Sequence, residues 1–410
     1  MIAQSTLILA KRKLGILQIS KKYAILNYHN LTVRSKMLKN PTVIKTLNKY
    51  GTCLVIDSKA LINNYNLIQE KSTPAEVSWV LKNNAYGLGV ENILPILNAV
   101  HCQHIFVATL LEGIQIKELL NGNYQPNIYI LNPIVATQAE DLLENNLIPV
   151  LNTLHQIEVW SDFAATQHKK LSVVLHIETG INRLSLSREE IIYLHKNPNL
   201  LENFDIKYIM SHFATASITR TLEMDKQYEE FLSLTAMLPK SKYSLAASDA
   251  IFVDKKYLFD LTRPAIAIYG AVIADMDEQV MQNALYLYST IQQIKNLHVG
   301  EKVGYGHLWT ANRPSKIATL FLGYADGIPR SLTATSKVNI GGYMCPIVGC
   351  MSMDLTTVDI TDLPEELAVE GMVAEIMGDH ISLEDFSNST NSLDCDVLNR
   401  LTHRYPRVVI

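Results

Sequence analysis

The chain has 410 residues, 48% of them hydrophobic and 19% charged, with a formal net charge of −4. That length and apolar content suffice for two domains with separate cores, and the weakly acidic balance offers no basic field for a nucleic acid or an anionic membrane surface. The five cysteines, Cys53, Cys102, Cys345, Cys350 and Cys395, show no CxxC and no Cys/His metal spacing, which argues against a disulfide framework or a zinc site and points to a reducing, cytoplasmic compartment. No apolar run reaches the roughly 18 residues that a membrane helix needs.

Residues 1–56 contain no Asp or Glu but carry Lys11, Arg12, Lys13, Lys21, Lys22 and further basic residues. Residues 1–50 therefore read as a basic extension without required order. A targeting segment is the other reading, and Met37 offers an alternative start. From Val77 onward, short β-branched runs alternate with helix-length segments. The predicted strands are Val77–Lys82, His104–Ala108, Asn127–Leu131, Leu147–Leu151, Leu171–Ile177, Ile206–His212, Tyr243–Ser248 and Ala265–Tyr269, with helical spacing in Leu110–Leu120 and Asp225–Leu238. Near-continuous apolar strands in βα alternation predict an eight-stranded parallel (β/α)8 TIM barrel over residues 51–283, with a doubly wound open sheet as the alternative. After about Asn283 the pattern becomes short strand-like runs with closely spaced Gly and Pro, such as Ile317–Gly323, Lys337–Ile340, Met344–Val348 and Met372–Met377. Residues 284–410 thus read as a β-rich C-terminal domain, to which Cys53–Asp57 could add a strand.

The polar residues at predicted strand ends are chemically selective. Lys82, Arg183, His212, Ser248 and Arg263 fall at or just beyond the C-terminal ends of strands, or immediately before the last one, where barrel enzymes keep their sites. Lys82 ends a strand and is followed by Tyr86, Gly87 and Gly89. A lysine in a barrel mouth is partly desolvated, which favours its neutral, imine-forming amine, and the glycines permit close backbone approach to a ligand.

The segment Val80-Leu-Lys82-Asn-Asn-Ala-Tyr86-Gly-Leu-Gly89 closely resembles the cofactor-lysine motif of alanine racemases. Glu178-Thr-Gly-Ile-Asn-Arg183-Leu, Ser211-His212-Phe213-Ala214, Arg263-Pro-Ala-Ile266, Val303-Gly-Tyr305-Gly306, Gly323-Tyr324-Ala-Asp326-Gly327 and Gly349-Cys-Met-Ser-Met353-Asp354 follow in the family's order, so the resemblance spans about Gly51 to Ile410. It implies pyridoxal 5'-phosphate carried by Lys82 as a Schiff base. Tyr86, Ser248 and the backbone around Ala265 and Ile266 would bind the phosphate, and Arg263 would face the pyridine nitrogen. His212 would support the ring, and Arg183 would bind the cofactor's phenolic oxygen and the substrate carboxylate.

The resemblance further implies interconversion of L- and D-alanine by two bases, Lys82 and Tyr305, supplying D-alanine for cell-wall peptidoglycan. Tyr305 would come from the second subunit of a homodimer, and Tyr324 and the backbone of Met353, with Asp354 in support, would close the substrate pocket from that partner. No metal, nucleic acid or membrane partner is implied.

Several positions depart from the family pattern. Leu88 stands where histidine is usual, Asn83 replaces a small residue, and Cys350 replaces an arginine. Cys395 falls where a late tyrosine is expected. His176 stands seven residues before Arg183, where many members have a carbamylated lysine that orients the arginine. Cys395 and His176 keep a broader-specificity or serine racemase open as a reading. A non-catalytic pyridoxal-phosphate-binding barrel is the alternative from a different functional class.

Overall fold

The computed structural model describes residues 35–120, 122, 124–216, 222–271, 273, 281–332 and 336–410. Two compact units are present, one made of Asp57–Ala284 with Asp394–Asn399, the other of the residues up to Ile56, Leu285–Leu393 and Arg400–Ile410. Strand β1 (Thr52–Ile56) belongs to the latter.

In the first unit, β2 (Glu76–Val77) and β3 (Trp79–Val80) are followed by β4 (His104–Val107), β5 (Asn127–Ile130), β6 (Leu147–Leu151), β7 (Leu171–His176), β8 (Phe204–Met210), β9 (Lys242–Ser244) and β10 (Leu261–Thr262). Strands β3 to β9 form one parallel sheet in sequence order. Between strands, helices start where their caps dictate. Asp57 accepts hydrogen bonds from the amides of Lys59 and Ala60 ahead of Ser58–Ser72, and Thr109 with Glu112 forms a capping box at the head of Leu110–Leu119.

The sheet closes. Strand β10 pairs in parallel with β2, the amides of Ser78 and Val80 donate to the carbonyls of Thr262 and Pro264 at 3.0 and 3.3 Å, and the Arg263 amide donates to Ala246 at 2.9 Å. Closure excludes the doubly wound alternative. It also corrects the eighth strand. Ala265–Tyr269 is not extended but a helical turn, in which Ile268 and Tyr269 donate to Ala265 and Ile266 at 3.1 Å. A five-residue apolar run does not distinguish a strand from a buried turn. The true strand is shorter and sits just before Arg263-Pro264, so Arg263 follows the last strand instead of preceding it.

The second unit is built on a long strand, β11 (Leu285–Leu297), which pairs antiparallel with β1. The remaining strands are β12 (Lys302–Val303), β13 (Trp309–Thr310), β14 (Ser315–Leu320), β15 (Lys337–Ile340), β16 (Tyr343–Pro346), β17 (Thr356–Asp359), β18 (Val373–Met377) and β19 (Arg407–Val409). The main sheet runs β16-β15-β18-β11-β1-β19, while β14 pairs with both β11 and β17.

Residues 1–34 of the predicted extension lie outside the described residues, but the end of that segment is folded. Pro41–Tyr50 is a helix capped by Asn40 and closed by Gly51 at φ 77°. Met37, Leu38, Val43 and Leu47 are buried with Cys53, Val55, Tyr286, Tyr288, Val373 and Val408 in one core. The extension therefore does not reach residue 50. The strand expected from Cys53–Asp57 is present as Thr52–Ile56 and completes the β-rich unit, whereas Asp394–Asn399, read as part of that domain, belongs to the barrel unit. No helix among the described residues is long and apolar enough to cross a membrane.

Candidate active site

The Lys82 loop is an unusual piece of backbone. Asn83, Asn84, Ala85 and Tyr86 all have φ between 53° and 55°. Left-handed conformation costs about 1–2 kcal/mol per L-residue, least for asparagine, so four in succession must be held by their surroundings. The surroundings are visible. The Asn84 side chain accepts from the Val90 amide at 2.8 Å, and the Gly87 amide donates to Asn83 at 2.9 Å. Glu112 Oε1 accepts from the Asn83 amide at 2.6 Å, while Glu112 Oε2 accepts from Ala108 and Thr109 at 2.8 and 3.0 Å. Glu112 thereby fastens the lysine loop to the end of β4. Sequence reasoning missed it, although Thr109-Leu-Leu-Glu112 is legible as a capping box.

Lys82 is half-buried at the start of this loop. Behind it Tyr86 is buried, with its ring 5.3 Å from that of Tyr269, whose hydroxyl accepts from Trp79 Nε1 at 3.1 Å. Burial raises the Tyr86 phenol above its ordinary range, with a further contribution from nearby Cys395.

Arg263 is 6% exposed, and its guanidinium donates to Ser244 Oγ and to the Ser211 carbonyl, both at 2.5 Å. Asp260, the sequence neighbour that could have neutralised it, instead accepts from the Tyr243 amide at 2.7 Å. Among the described residues no carboxylate forms a salt bridge with Arg263. Burial pulls its pKa down to about 10. A buried cation without a paired carboxylate is costly to stability, which singles out Arg263 as a candidate functional residue.

The same cationic field acts on two histidines. His212 and His176 are both held down at about 3 by burial first, then by the charges of Arg263 and Arg183, with Lys82 also acting on His212. Lys82, His176, Arg183, His212 and Arg263 therefore converge on one end of the barrel. Arg183 itself is exposed and makes no hydrogen bond or ion pair among the described residues. Glu178, five residues before it in the same loop, is spent on the loop itself. It accepts from the amides of Gly180 and Asn182 at 2.6 and 3.0 Å and from Ser185 Oγ at 2.5 Å. Burial opposes ionisation of Glu178, but these bonds outweigh it and hold the carboxyl below its usual range.

Ser248 is buried, and its Oγ accepts from the amides of Ala265 and Ala267 at 3.0 and 3.4 Å. The adjoining Ile266 is half-buried, and its amide donates to no protein atom among the described residues. The Ser248 hydroxyl, held in place by the Ala265 and Ala267 amides, and the Ile266 amide lie on the loops after β9 and β10 as donors that can meet an anion.

The β-rich unit gathers its own three motifs. A Cβ on Gly323 would lie 2.3 Å from the Met353 carbonyl oxygen, so only glycine permits the bond by which the Ala325 amide donates to Met353 at 2.9 Å. A Cβ on Gly304 would approach the Cys350 amide to 3.1 Å. The Tyr305, Tyr324 and Met353 segments are thus locked together. Arg404 ties Asp354 at 2.7 Å to Asp326 at 3.5 Å beneath them. The side chains themselves stay outside: Tyr305 is 72% exposed, Met353 53% and Tyr324 40%. Arg330 donates to the sulfur of Cys350 at 3.4 Å.

The depressed histidines give a pH prediction. Between about 6.5 and 3 the unfolded chain takes up protons that folded His176 and His212 refuse. Their contribution to stability is therefore complete above pH 6.5 and declines as pH falls toward 3, by up to about 1.4 kcal/mol per pH unit for each group. Urea midpoints of the cofactor-free protein between pH 7 and 4.5 should fall less steeply for His176→Gln than for wild type. Equal slopes would remove His176 from this account.

A closed parallel barrel that gathers Lys82, Arg183, the unneutralised Arg263 and the Ser248 hydroxyl at its C-terminal strand ends has the site of a barrel enzyme suited to an anionic ligand. Residues 56–272 match the family described as alanine racemase, N-terminal domain, and residues 284–409 match alanine racemase, C-terminal domain. The alanine racemase of Rickettsia canadensis is 38% identical over 354 residues, covering 86% of this chain and 98% of that protein, and that of Brucella canis is 35% identical over 373 residues, covering 88% and 94%. The crystal structure of alanine racemase from Bartonella henselae with covalently bound pyridoxal phosphate superposes with a TM-score of 0.84 at 35% identity, covering 88% of this chain and 99% of that one. The chain belongs to the alanine racemase family.

Proposed function

We propose that this protein interconverts L- and D-alanine with pyridoxal 5'-phosphate as cofactor, in the cytoplasm, supplying D-alanine for peptidoglycan. The observation that carries the reading is the convergence of Lys82, Arg183, His212 and the buried, unneutralised Arg263 on the barrel end that also holds the Ser248 hydroxyl.

The residues present fit this cofactor. Lys82 Nζ would hold its aldehyde carbon, Tyr86, Ser248 and the amides of Ala265 and Ile266 its phosphate, and Arg263 its ring nitrogen. When bound, the cofactor draws electrons from the amino acid's α-carbon and makes the α-proton removable. Arg263 keeps its own proton, so it steadies the ring nitrogen without protonating it. Neutral His212 and the Arg183 fork complete the binding surface, and Arg183 takes the substrate carboxylate. Lys82 Nζ, as a free amine, would take or return a proton on one face of the α-carbon.

Inversion requires a second group on the opposite face. Tyr305 has that role in this reading, presented by a second copy of the chain in a homodimer together with Tyr324, Met353 and the supporting Asp354. Its exposure, with that of Leu308 at 76%, supports a surface that a partner covers. Match of the family's C-terminal domain weighs against a non-catalytic barrel, which lacks that domain.

The test is L-alanine incubated with purified protein and cofactor and followed by circular dichroism. The signal should decay to zero, and an unchanged signal would overturn the proposal. A substrate range extending to serine is favoured by one observation, that small, half-buried Cys395 lies beside Tyr86. Parallel assays with L-serine decide between the two ranges.

A further inference from the structure

His176 is the last residue of β7 and only 7% exposed. Its Nδ1 lies 2.8 Å from Asn152 Oδ1. The orientation of that amide is fixed independently, because Asn152 Nδ2 donates to the Val150 carbonyl at 2.8 Å and to the Leu131 carbonyl at 3.2 Å. Oδ1 therefore faces the imidazole and can only accept, so the proton must sit on Nδ1. Nε2 is left as a bare lone pair, and this atom is buried without a hydrogen-bond partner.

An orphaned buried acceptor requires an explanation, and the donors nearby supply one. Arg263 already directs its terminal nitrogens to Ser244 and Ser211, whereas Arg183, whose charge acts on His176, has its fork of donors uncommitted. We infer that Asn152 locks His176 in the Nδ1–H tautomer so that Nε2 accepts a hydrogen bond from the Arg183 guanidinium and sets its orientation toward the substrate carboxylate. Asn152 and His176 are thus positioning residues. The arginine is aligned by a neutral acceptor and keeps its full positive charge for its ligands, where an anionic partner would cancel part of it. This rests on the reading of Arg183 as the carboxylate-binding residue.

The direct test is nitrogen NMR of the wild-type protein labelled at histidine, with and without cofactor, His176 being assigned through His176→Gln. The expected spectrum has a protonated Nδ1 and an unprotonated Nε2 at neutral pH. A proton on Nε2 in both states would overturn the inference while leaving racemisation by the same wild-type sample intact, so this failure is distinct from failure of the proposed function. Kinetics add a second readout. His176→Leu should raise KM for alanine by about 10-fold with a smaller change in kcat, as loss of an orienting partner does, and His176→Gln, which retains an acceptor, should recover part of it. Equal effects of the two variants on KM would also overturn it.

Discussion

Replacing Lys82 by alanine is expected to lower racemisation by about 10^4-fold or more, because in the proposed function one side chain serves both as the covalent holder of the cofactor and as a base. The loss should not come from misfolding. Lys82 is only half-buried, and the left-handed turn after it is held by Glu112, Asn84 and main-chain bonds that do not involve the lysine side chain. Borohydride reduction of the loaded wild type should leave a cofactor adduct on the peptide containing Lys82, and the variant should yield none. Full activity in Lys82→Ala would contradict the assignment, as would an adduct on another lysine.

Tyr305→Phe is expected to reduce turnover by about 10^2- to 10^4-fold, the usual worth of a positioned acid-base group. The two enantiomers are mirror images of equal free energy, so kcat/KM must fall equally in both directions. The asymmetry appears elsewhere. Lys82 still serves its own face, so in deuterated water one enantiomer should continue to exchange its α-proton without inverting, while the other exchanges slowly. Proton NMR of each enantiomer separates these. Equal exchange of both would show that a group other than Tyr305 serves the second face. The strongly exposed phenol packs little against its own chain, so the substitution should leave the melting temperature unchanged.

Much of this organisation was legible in the residues themselves. Strands β4 to β7 are largely buried runs whose limits the apolar pattern locates to within a residue or so, because a barrel strand covered on both faces is predominantly apolar. The eighth strand was not legible. Leu261–Thr262 is too short to show a pattern, while the nearby Ala265–Tyr269 run is apolar for burial in a turn. Correcting it places Arg263 after a strand, like Lys82, His212 and Ser248. The folded residues 35–50 were hidden by composition, since basic side chains facing outward mask Met37, Val43 and Leu47 facing the core.

At the site, residue types pointed to chemistry, but partners did not. No sequence pattern announces that Glu112 reaches across to the Asn83 amide, that Glu178 serves its own loop, or that Asn152 decides which nitrogen of His176 is protonated. Such facts depend on which strand ends a closed barrel brings together.

The central claim is that one active site takes Lys82 from one chain and Tyr305 from another. Mixing Lys82→Ala and Tyr305→Phe protein, each nearly inactive, under conditions that exchange subunits tests it directly. Random pairing puts about half the chains into mixed dimers, each with one intact site of two, so roughly a quarter of wild-type racemisation should return. A mixture no more active than its components, despite demonstrated exchange, would contradict the account.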